Sequence, residues 1–420
     1  MKWPVVVVGA QWGDEGKGKI VDYLARDADL VVRFNGGNNA GHTVVHNGNR
    51  YPLSLLPSGL LRGKKLAIAQ GVAVNPKVLL DEIDKFSNMG MKPRLIIDPR
   101  AHVVMPYHQW LDAATEESKG DKKVGSLKLG IGYCYEDRTN RHGIRMEDLI
   151  DPYILKERLT REYTDKKKRL EGVFGFSMPK TLDELYKDYK MYGKNLKPYI
   201  SDVGRVVLQS INDRVLFEGA HGTFLDASFG TYPYTTAVNT ISGSIFPMVG
   251  IPPRNLTVMG VVKAYTTRVG GGPFPAELKN TIGTQLQEKG QEIGTVSKRK
   301  RRCGWLDLPM LRLAHRLNGF SKLAITKLDV LTGIPQIEIV TAYKLGTKNV
   351  SEFPSQLEDV EKVIPITKTF RGWTKDISQV RNYSELPRAC QSYLRYIEKA
   401  LKTQISFISV GSERDSIIHH

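Results

Sequence analysis

Asp14, Lys17 and His42 are the side chains whose types and spacing point most directly to chemistry on a phosphorylated substrate. The run Gly13-Asp-Glu15-Gly16-Lys17-Gly18-Lys19 fits the spacing G-x-x-x-x-G-K. Glycines in such a loop let main-chain N–H groups close on phosphate oxygens, and lysine adds charge. Ile20 stands where these loops usually carry a hydroxyl, so a magnesium ion would need another ligand, and Asp14 is the obvious carboxylate. A second polar loop, Asn35-Gly-Gly-Asn-Asn39-Ala-Gly41-His42, ends in an imidazole. One loop alone reads as a tight turn. Two of them at strand ends describe a site.

Those side chains need a frame, and an alternating one is written around them. Val5 to Val8 is too short for a helix and too apolar for a surface loop, so it reads as a strand buried on both faces. The glycine loop follows, and an amphipathic helix begins at Lys19. Strand, glycine loop and helix aim main-chain N–H groups and a helix N-terminus at phosphate. Leu30 to Phe34 is a second apolar strand, and its loop is expected at the end of a strand neighbouring the first. Alternation around Asn47-Gly48 predicts a hairpin with a type I′ turn. Strands at 65–69 and 95–98 and helices at 76–89 and 107–117 continue the alternation.

Residues 152–215 differ: they are charged, helix-favouring and poor in strand signals, which predicts a helical insertion on the sheet. Strands return at 214–218, 256–262, 322–326, 337–343 and 405–409. The expectation is an α/β fold: one large domain over 1–420 with a mainly parallel central sheet, a P-loop-like phosphate site and that insertion.

Composition narrows the partners. A hydrophobic share of 41% with 25% charged residues is ordinary for a soluble globular enzyme. No apolar run approaches the roughly 18 residues of a spanning helix, so no membrane segment is expected. The start of the chain does not read as a signal peptide, and Cys134, Cys303 and Cys390 lie far apart, which fits a reducing cytoplasm and excludes a zinc spacing. The net charge of +17 invites a polyanion reading, but no nucleic-acid-binding motif accompanies it, and anionic small substrates also call for cations.

The words GAQWGDEGKGKIVD and NGGNNAGHTV resemble the adenylosuccinate synthetase family, GTP-dependent ligases that join aspartate to IMP, and further blocks extend the likeness over nearly the whole chain. Thr326-Lys327-Leu328-Asp329 follows an apolar strand. A carboxylate there can accept both N1–H and the exocyclic amine of guanine, and the lysine stem can lie along the base. The block resembles the family's guanine site, with Ser409-Val-Gly411 as its other wall. Val215 to Asp226 with Gly230 to Thr236 resembles the purine block, and Glu292 to Asp307, with five consecutive cations at 298–302, resembles the aspartate loop. A guanidinium grips a carboxylate bidentately, which makes Arg299 and Arg301 the anchors, with Arg301 able to reach the nucleotide instead. Tyr135 to Gly143 resembles the segment that one subunit sends into its neighbour's site, with Arg141 at the IMP phosphate.

The resemblance implies that GTP phosphorylates O6 of IMP and that the aspartate amine then displaces phosphate. Asp14 would remove the N1 proton and ligate one Mg2+ per subunit together with the Gly41 carbonyl. His42, Lys17 and main-chain amides would stabilise the moving phosphoryl group, with His221 beside the reacting purine edge. GTP would contact Gly13, Glu15, Gly16, Lys17, Gly18, Gly41, His42, Thr43, Lys327, Asp329, Ser409 and Gly411. IMP would contact Asp14, Asn39, Ser126, Arg141, His221, Thr236 and Arg301, and aspartate Thr295, Ser297 and Arg299. A cytoplasmic homodimer follows from the same likeness, with no membrane and no specific nucleic acid as partners.

Three positions depart from the family pattern. Leu127 replaces a threonine that contacts the IMP phosphate, and Ser126 compensates only if the loop shifts. His221 replaces a glutamine, which would introduce pH dependence if the ring titrated near neutrality. Val296-Ser297 replaces a Thr-Thr pair. A lost hydrogen bond to a charged group costs about 1.5–3 kcal/mol, tenfold or more in affinity. Alternatives are therefore a ligase for another purine nucleotide, such as a 2-amino one like dGMP, or a GTP-binding relative that has lost catalysis.

Overall fold

The computed structural model describes residues 1–120, 125–210, 213–294 and 299–420. Its centre is a nine-stranded sheet built from β1 (Val5–Gly9), β2 (Leu30–Arg33), β3 (Lys65–Ile68), β4 (Arg94–Ile97), β5 (Val215–Glu218), β6 (Thr257–Lys263), β7 (Lys322–Thr326), β8 (Ile405–Ser409) and β9 (Ile417–His419). The order across the sheet is β9-β8-β7-β6-β1-β5-β2-β3-β4, and every pairing is parallel except β8 with β9. This is the α/β architecture expected from the alternation.

The valine run explains why β1 sits in the middle. Val6 and Val8 join one hydrophobic core and Val5 and Val7 the other, and all four are buried. Period-two alternation places successive side chains on opposite faces, so a strand apolar at every position belongs where both faces are covered.

The expectation of neighbouring loop-bearing strands is corrected here. β5 lies between β1 and β2, hydrogen-bonded to both, with Val5 opposite Leu216 and Val31 opposite the same residue. The two polar loops therefore flank the end of β5 rather than each other, and that end carries Glu218.

Helix α1 (Lys17–Ala25) starts two residues earlier than the pattern suggested, directly after Gly16. Gly13, Asp14 and Gly16 all have positive φ (83°, 58° and 88°), so the loop turns through left-handed backbone before the helix begins. Gly18 has a different reason: a Cβ there would lie 2.8 Å from the Cβ of His42. Only glycine lets the second loop close on the first turn of α1. The hairpin Asn49–Leu53 against His42–His46 has both turn residues at positive φ, Asn47 at 52° and Gly48 at 74°, as a type I′ turn requires.

The 152–215 region is helical where described: Pro152–Phe174, Leu182–Leu196 and Val203–Gln209, each capped by an aspartate or threonine accepting main-chain N–H groups. The stretch at 337–343 forms a strand, Gln336–Leu345, outside the central sheet. It runs antiparallel to Ile364–Arg371 and parallel to Leu306–Asp307. Its pattern is that of a sheet strand, and pattern alone does not say which sheet. No helix of the described residues is long and apolar enough to cross a membrane.

Candidate active site

A cleft of about 1050 Å³ opens over the carboxyl ends of β1, β5, β6 and β7. Ligand sites of open α/β sheets lie at this edge. Gly13, Asp14, Gly16, Lys17, Gly18, Asn39, Gly41, His42 and Thr43 line it from the two polar loops. Ser126, His221, Thr236, Arg299, Arg301, Lys327, Asp329, Ser409 and Gly411 line it from the rest of the chain. Residues separated by up to 400 positions thus converge on one space.

Two expected residues stand apart, and two lie outside the described residues. Glu15 is buried with its carboxylate turned inward: Oε1 accepts the N–H groups of Gln11 (3.0 Å) and Gly13 (2.9 Å), and Oε2 holds Lys17 Nζ at 2.6 Å. Its side chain organises the loop, so a phosphate contact from Glu15 is confined to the main chain. Arg141 caps the helix Ile131–Asn140 in left-handed backbone, is exposed, and does not line the cleft of its own chain. Thr295 and Ser297 fall outside the described residues.

His42 is held from behind. Its Nδ1 donates to Glu218 Oε1, and the same carboxylate accepts Ser58 Oγ (2.7 Å) and Ser58 N (2.8 Å). Burial alone would raise the Glu218 carboxyl, but His42, Ser58 and Arg33 outweigh it and hold it below the ordinary range. With Nδ1 engaged by a carboxylate, Nε2 is the nitrogen left for a ligand. Arg33, buried under the second loop, donates through Nη2 to the carbonyls of Gly37 (2.7 Å) and Ala40 (3.0 Å) and fixes that loop's path.

Asp14 is paired with Arg301, whose Nε donates to Oδ2 at 2.7 Å. Burial opposes ionisation of Asp14, but Arg301, Lys263 and Lys17 together push its carboxyl below the usual value. Arg301 Nη1 in turn bonds Glu292 Oε2 at 2.6 Å. Asp14 Oδ1 makes no bond among the described residues. Arg299 donates to the carbonyls of Gly125 (3.0 Å) and Ser126 (3.3 Å).

Three polar atoms of cleft-lining residues are buried without a hydrogen-bond partner among the described residues: Asn39 Oδ1, His221 Nε2 and Asp329 Oδ1. Buried polar atoms are rarely left unpaired in a folded chain, which leaves these three open to a ligand. Burial raises the Asp329 carboxyl above its ordinary value. Burial also lowers the His221 ring to about 3, with Lys17, Arg33 and His42 adding to the effect. This corrects the expected pH sensitivity, because a ring that is neutral throughout the physiological range does not titrate there. Ser126 Oγ donates to Asp112 Oδ1 at 2.6 Å, and Leu127 itself lines the cleft.

Sequence reasoning passed over several residues that build the site. Glu218 ends an ordinary apolar strand, and nothing local marks it as the partner of His42. Lys19, the lysine that the G-x-x-x-x-G-K spacing places in the motif, donates away from the loop to Ser409 Oγ (2.8 Å), Gly411 O (2.8 Å) and Ser416 O (2.9 Å). It pins the last-strand loop that forms one wall. Arg268 is buried without a carboxylate partner among the described residues, its guanidinium 4.6 Å from the Trp12 ring centroid.

A mainly parallel α/β sheet with a glycine loop and a paired carboxylate over the carboxyl edge is the architecture of a nucleotide-binding enzyme. A model of the adenylosuccinate synthetase family matches residues 6–418, and the chain belongs to that family. It is 48% identical over 417 residues to adenylosuccinate synthetase of Desulfatibacillum aliphaticivorans, covering 98% of this chain and 97% of the relative. It is 46% identical over 420 residues to that of Caldanaerobacter subterraneus, with 98% of each covered. The fully ligated adenylosuccinate synthetase from Plasmodium falciparum superposes with a TM-score of 0.94 at 38% identity, covering 99% of both chains. Succinoaminodeoxyadenylate synthetase of cyanophage S-2L, bound to dGMP and dATP, shares the fold at a TM-score of 0.60 and 17% identity, covering 99% of this chain and 94% of that one. The protein is a ligase whose activity is the GTP-dependent joining of L-aspartate to IMP.

Proposed function

We propose that the cleft binds GTP with its base on Lys327 and Asp329 and its phosphates between the two polar loops, with IMP and L-aspartate beside them. The observation that carries this reading is the buried Asp329 Oδ1 at the cleft wall, which has no hydrogen-bond partner among the described residues. A carboxylate at that place suits the adjacent N1–H and amine of guanine, a pattern that adenine lacks. Ser409 and Gly411, pinned by Lys19, form the facing wall.

In this reading Asp14 takes the N1 proton of IMP, which enriches O6 for attack on the γ-phosphorus of GTP; the bond to the β–γ bridging oxygen breaks, GDP leaves and a 6-phosphoryl intermediate forms. Aspartate nitrogen then attacks C6, the C6–O bond breaks with loss of inorganic phosphate, and the nitrogen gives up a proton as the C–N bond forms. Arg301 Nε donates to Asp14 Oδ2 and lowers its basicity, so Asp14 acts as a base once that guanidinium turns to a substrate anion. His42, oriented by Glu218, and Lys17, beside Glu15, stabilise charge on the transferring group. Arg299 holds aspartate, with Thr295 and Ser297 beside it, and Asn39, Ser126, His221 and Thr236 complete the IMP pocket.

Magnesium fits the donors on offer. Asp14 Oδ1 is unengaged among the described residues and Gly41 lines the cleft, while no cluster of three or more acidic, His or Cys side chains is present among them. One carboxylate and one carbonyl, completed by phosphate oxygens and water, is a magnesium-type set. The bound ion would neutralise triphosphate charge. The proposal also includes a cytoplasmic homodimer in which Arg141 completes the neighbouring site. The exposed position of Arg141, outside its own cleft, supports that arrangement.

Phosphate release with GTP, aspartate and magnesium tests this reading. IMP should support turnover and dGMP should not. Asp14→Asn should fold normally and lose about 100-fold or more in kcat. Normal turnover by that variant would remove Asp14 from both roles.

A further inference from the structure

Glu292 is fully buried, yet its carboxylate gathers three cations from three different segments. Lys263, at the end of β6, reaches both oxygens at 2.9 and 3.0 Å. Arg301 Nη1 meets Oε2 at 2.6 Å, and Lys327 Nζ, just beyond β7, meets Oε1 at 3.2 Å. Tyr265 adds a hydroxyl at 2.5 Å. Burial opposes the charge on Glu292, but the three cations and Tyr265 outweigh it, and the carboxyl is held far below its ordinary value.

The cations are not equivalent. Lys263 is buried, does not line the cleft and also donates to Thr267 Oγ1 at 2.7 Å, so it is fixed within the core. Arg301 and Lys327 both line the cleft. Arg301 spends Nε on Asp14 and Nη1 on Glu292, and its Nη2 makes no bond among the described residues. Glu292 also closes the neck of the 293–300 loop, because its carbonyl accepts Arg301 N at 2.8 Å while Gly294 N donates to Arg299 O at 2.8 Å. One residue thus touches Lys327 and the partner of Asp14 through its carboxylate, and the root of the loop that carries Arg299 through its main chain.

We propose that Glu292 is a positioning residue that couples the GTP half of the cleft to the IMP half. The inference rests on the assignment of Lys327 to the GTP base and Arg301 to the Asp14 side. A base seated along the Lys327 stem changes how Nζ shares Glu292 Oε1. In a site shielded from water, a change in one ion pair is felt strongly by the others on the same carboxylate. A weaker hold by Lys327 tightens the hold of Glu292 on Arg301, drawing the guanidinium from Asp14 and readying its free nitrogen for the second nucleotide. The purely structural alternative, that Glu292 only neutralises buried Lys263, predicts no such communication.

Calorimetric titration of the full-length protein with IMP, alone and with a saturating non-hydrolysable GTP analogue, separates the two. The parent protein should bind IMP about tenfold more tightly with the analogue present. Glu292→Gln should bring that ratio to within about twofold of unity. If Glu292→Gln does not hold its fold, Lys327→Met removes the other end of the link and should abolish the ratio in the same way. A parent ratio of one, or a folded variant with the parent's ratio, overturns the proposal. Failure of the base-wall assignment shows separately, as unchanged analogue affinity in Asp329→Ala.

Discussion

Glu218 Oε1 accepts the Nδ1 proton of His42 from the end of β5, the strand that separates the two loop-bearing strands. The imidazole is therefore oriented by the sheet itself and not by its own loop. Glu218→Gln keeps an acceptor for Ser58 N, but its amide can present N–H to Nδ1 and force the other tautomer. The expected result is a loss of about 10- to 100-fold in kcat, the range for groups that orient an imidazole. Steady-state phosphate release, with melting within a few degrees of the parent, checks it.

His221 stays neutral because its folded-state value, about 3, lies well below any assay pH. The pH–rate profile of His221→Gln between about pH 5 and 8 should keep the parent's shape even where its amplitude changes. An inflection near pH 6.5 that disappears in the variant would show that the ring does titrate.

Asp307 caps the helix Leu308–Asn318 through Met310 N at 3.0 Å and accepts Tyr343 OH at 2.5 Å, fully buried. Burial raises it from 3.8 to about 6. The folded state then binds this proton more tightly than the unfolded state. The associated stability is complete below about pH 4 and is lost as pH rises through about 6. Asn caps a helix as well as Asp. Asp307→Asn should therefore gain on the parent across that window, reaching about 1–3 kcal/mol above pH 7. Urea unfolding at several pH values measures the gap, and a gap that does not change with pH would refute the account.

Arg141 and Asp14 offer a test of the shared site. Arg141→Leu and Asp14→Asn should each be inactive alone. Mixed one to one and allowed to exchange, they should recover about a quarter of parental activity, since half the dimers then hold one intact site. No recovery, with exchange verified by mass, would mean that Arg141 serves its own chain or none.

How much of this was legible depends on the range of the interaction that decides it. The turn at Asn47-Gly48 and the loop ending in His42 are settled by neighbours in sequence, and pattern finds them; it places α1 to within two residues of its start. The double burial of Val5 to Val8 is likewise written in four adjacent residues. Glu218 is different, because its meaning comes from His42, 176 positions away, and from the strand order that brings β5 between β1 and β2. Glu292 reads as an ordinary acidic residue until Lys263, Arg301 and Lys327 are folded around it. The inward turn of the Glu15 side chain was illegible for a related reason. Motif spacing locates a residue on the loop, but only the backbone path tells whether its side chain faces the cleft or the interior.

Helix α1 depends on distant company. Lys19 is held by Ser409, Gly411 and Ser416, buried Asp22 by Arg414 and Tyr23 by His419, all from the segment around β8 and β9. A nascent chain emerging from the ribosome carries α1 for nearly the whole of translation without these C-terminal contacts. Binding competence thus arrives late in synthesis, and a chain shortened before residue 405 would present the phosphate loop without the contacts that close it.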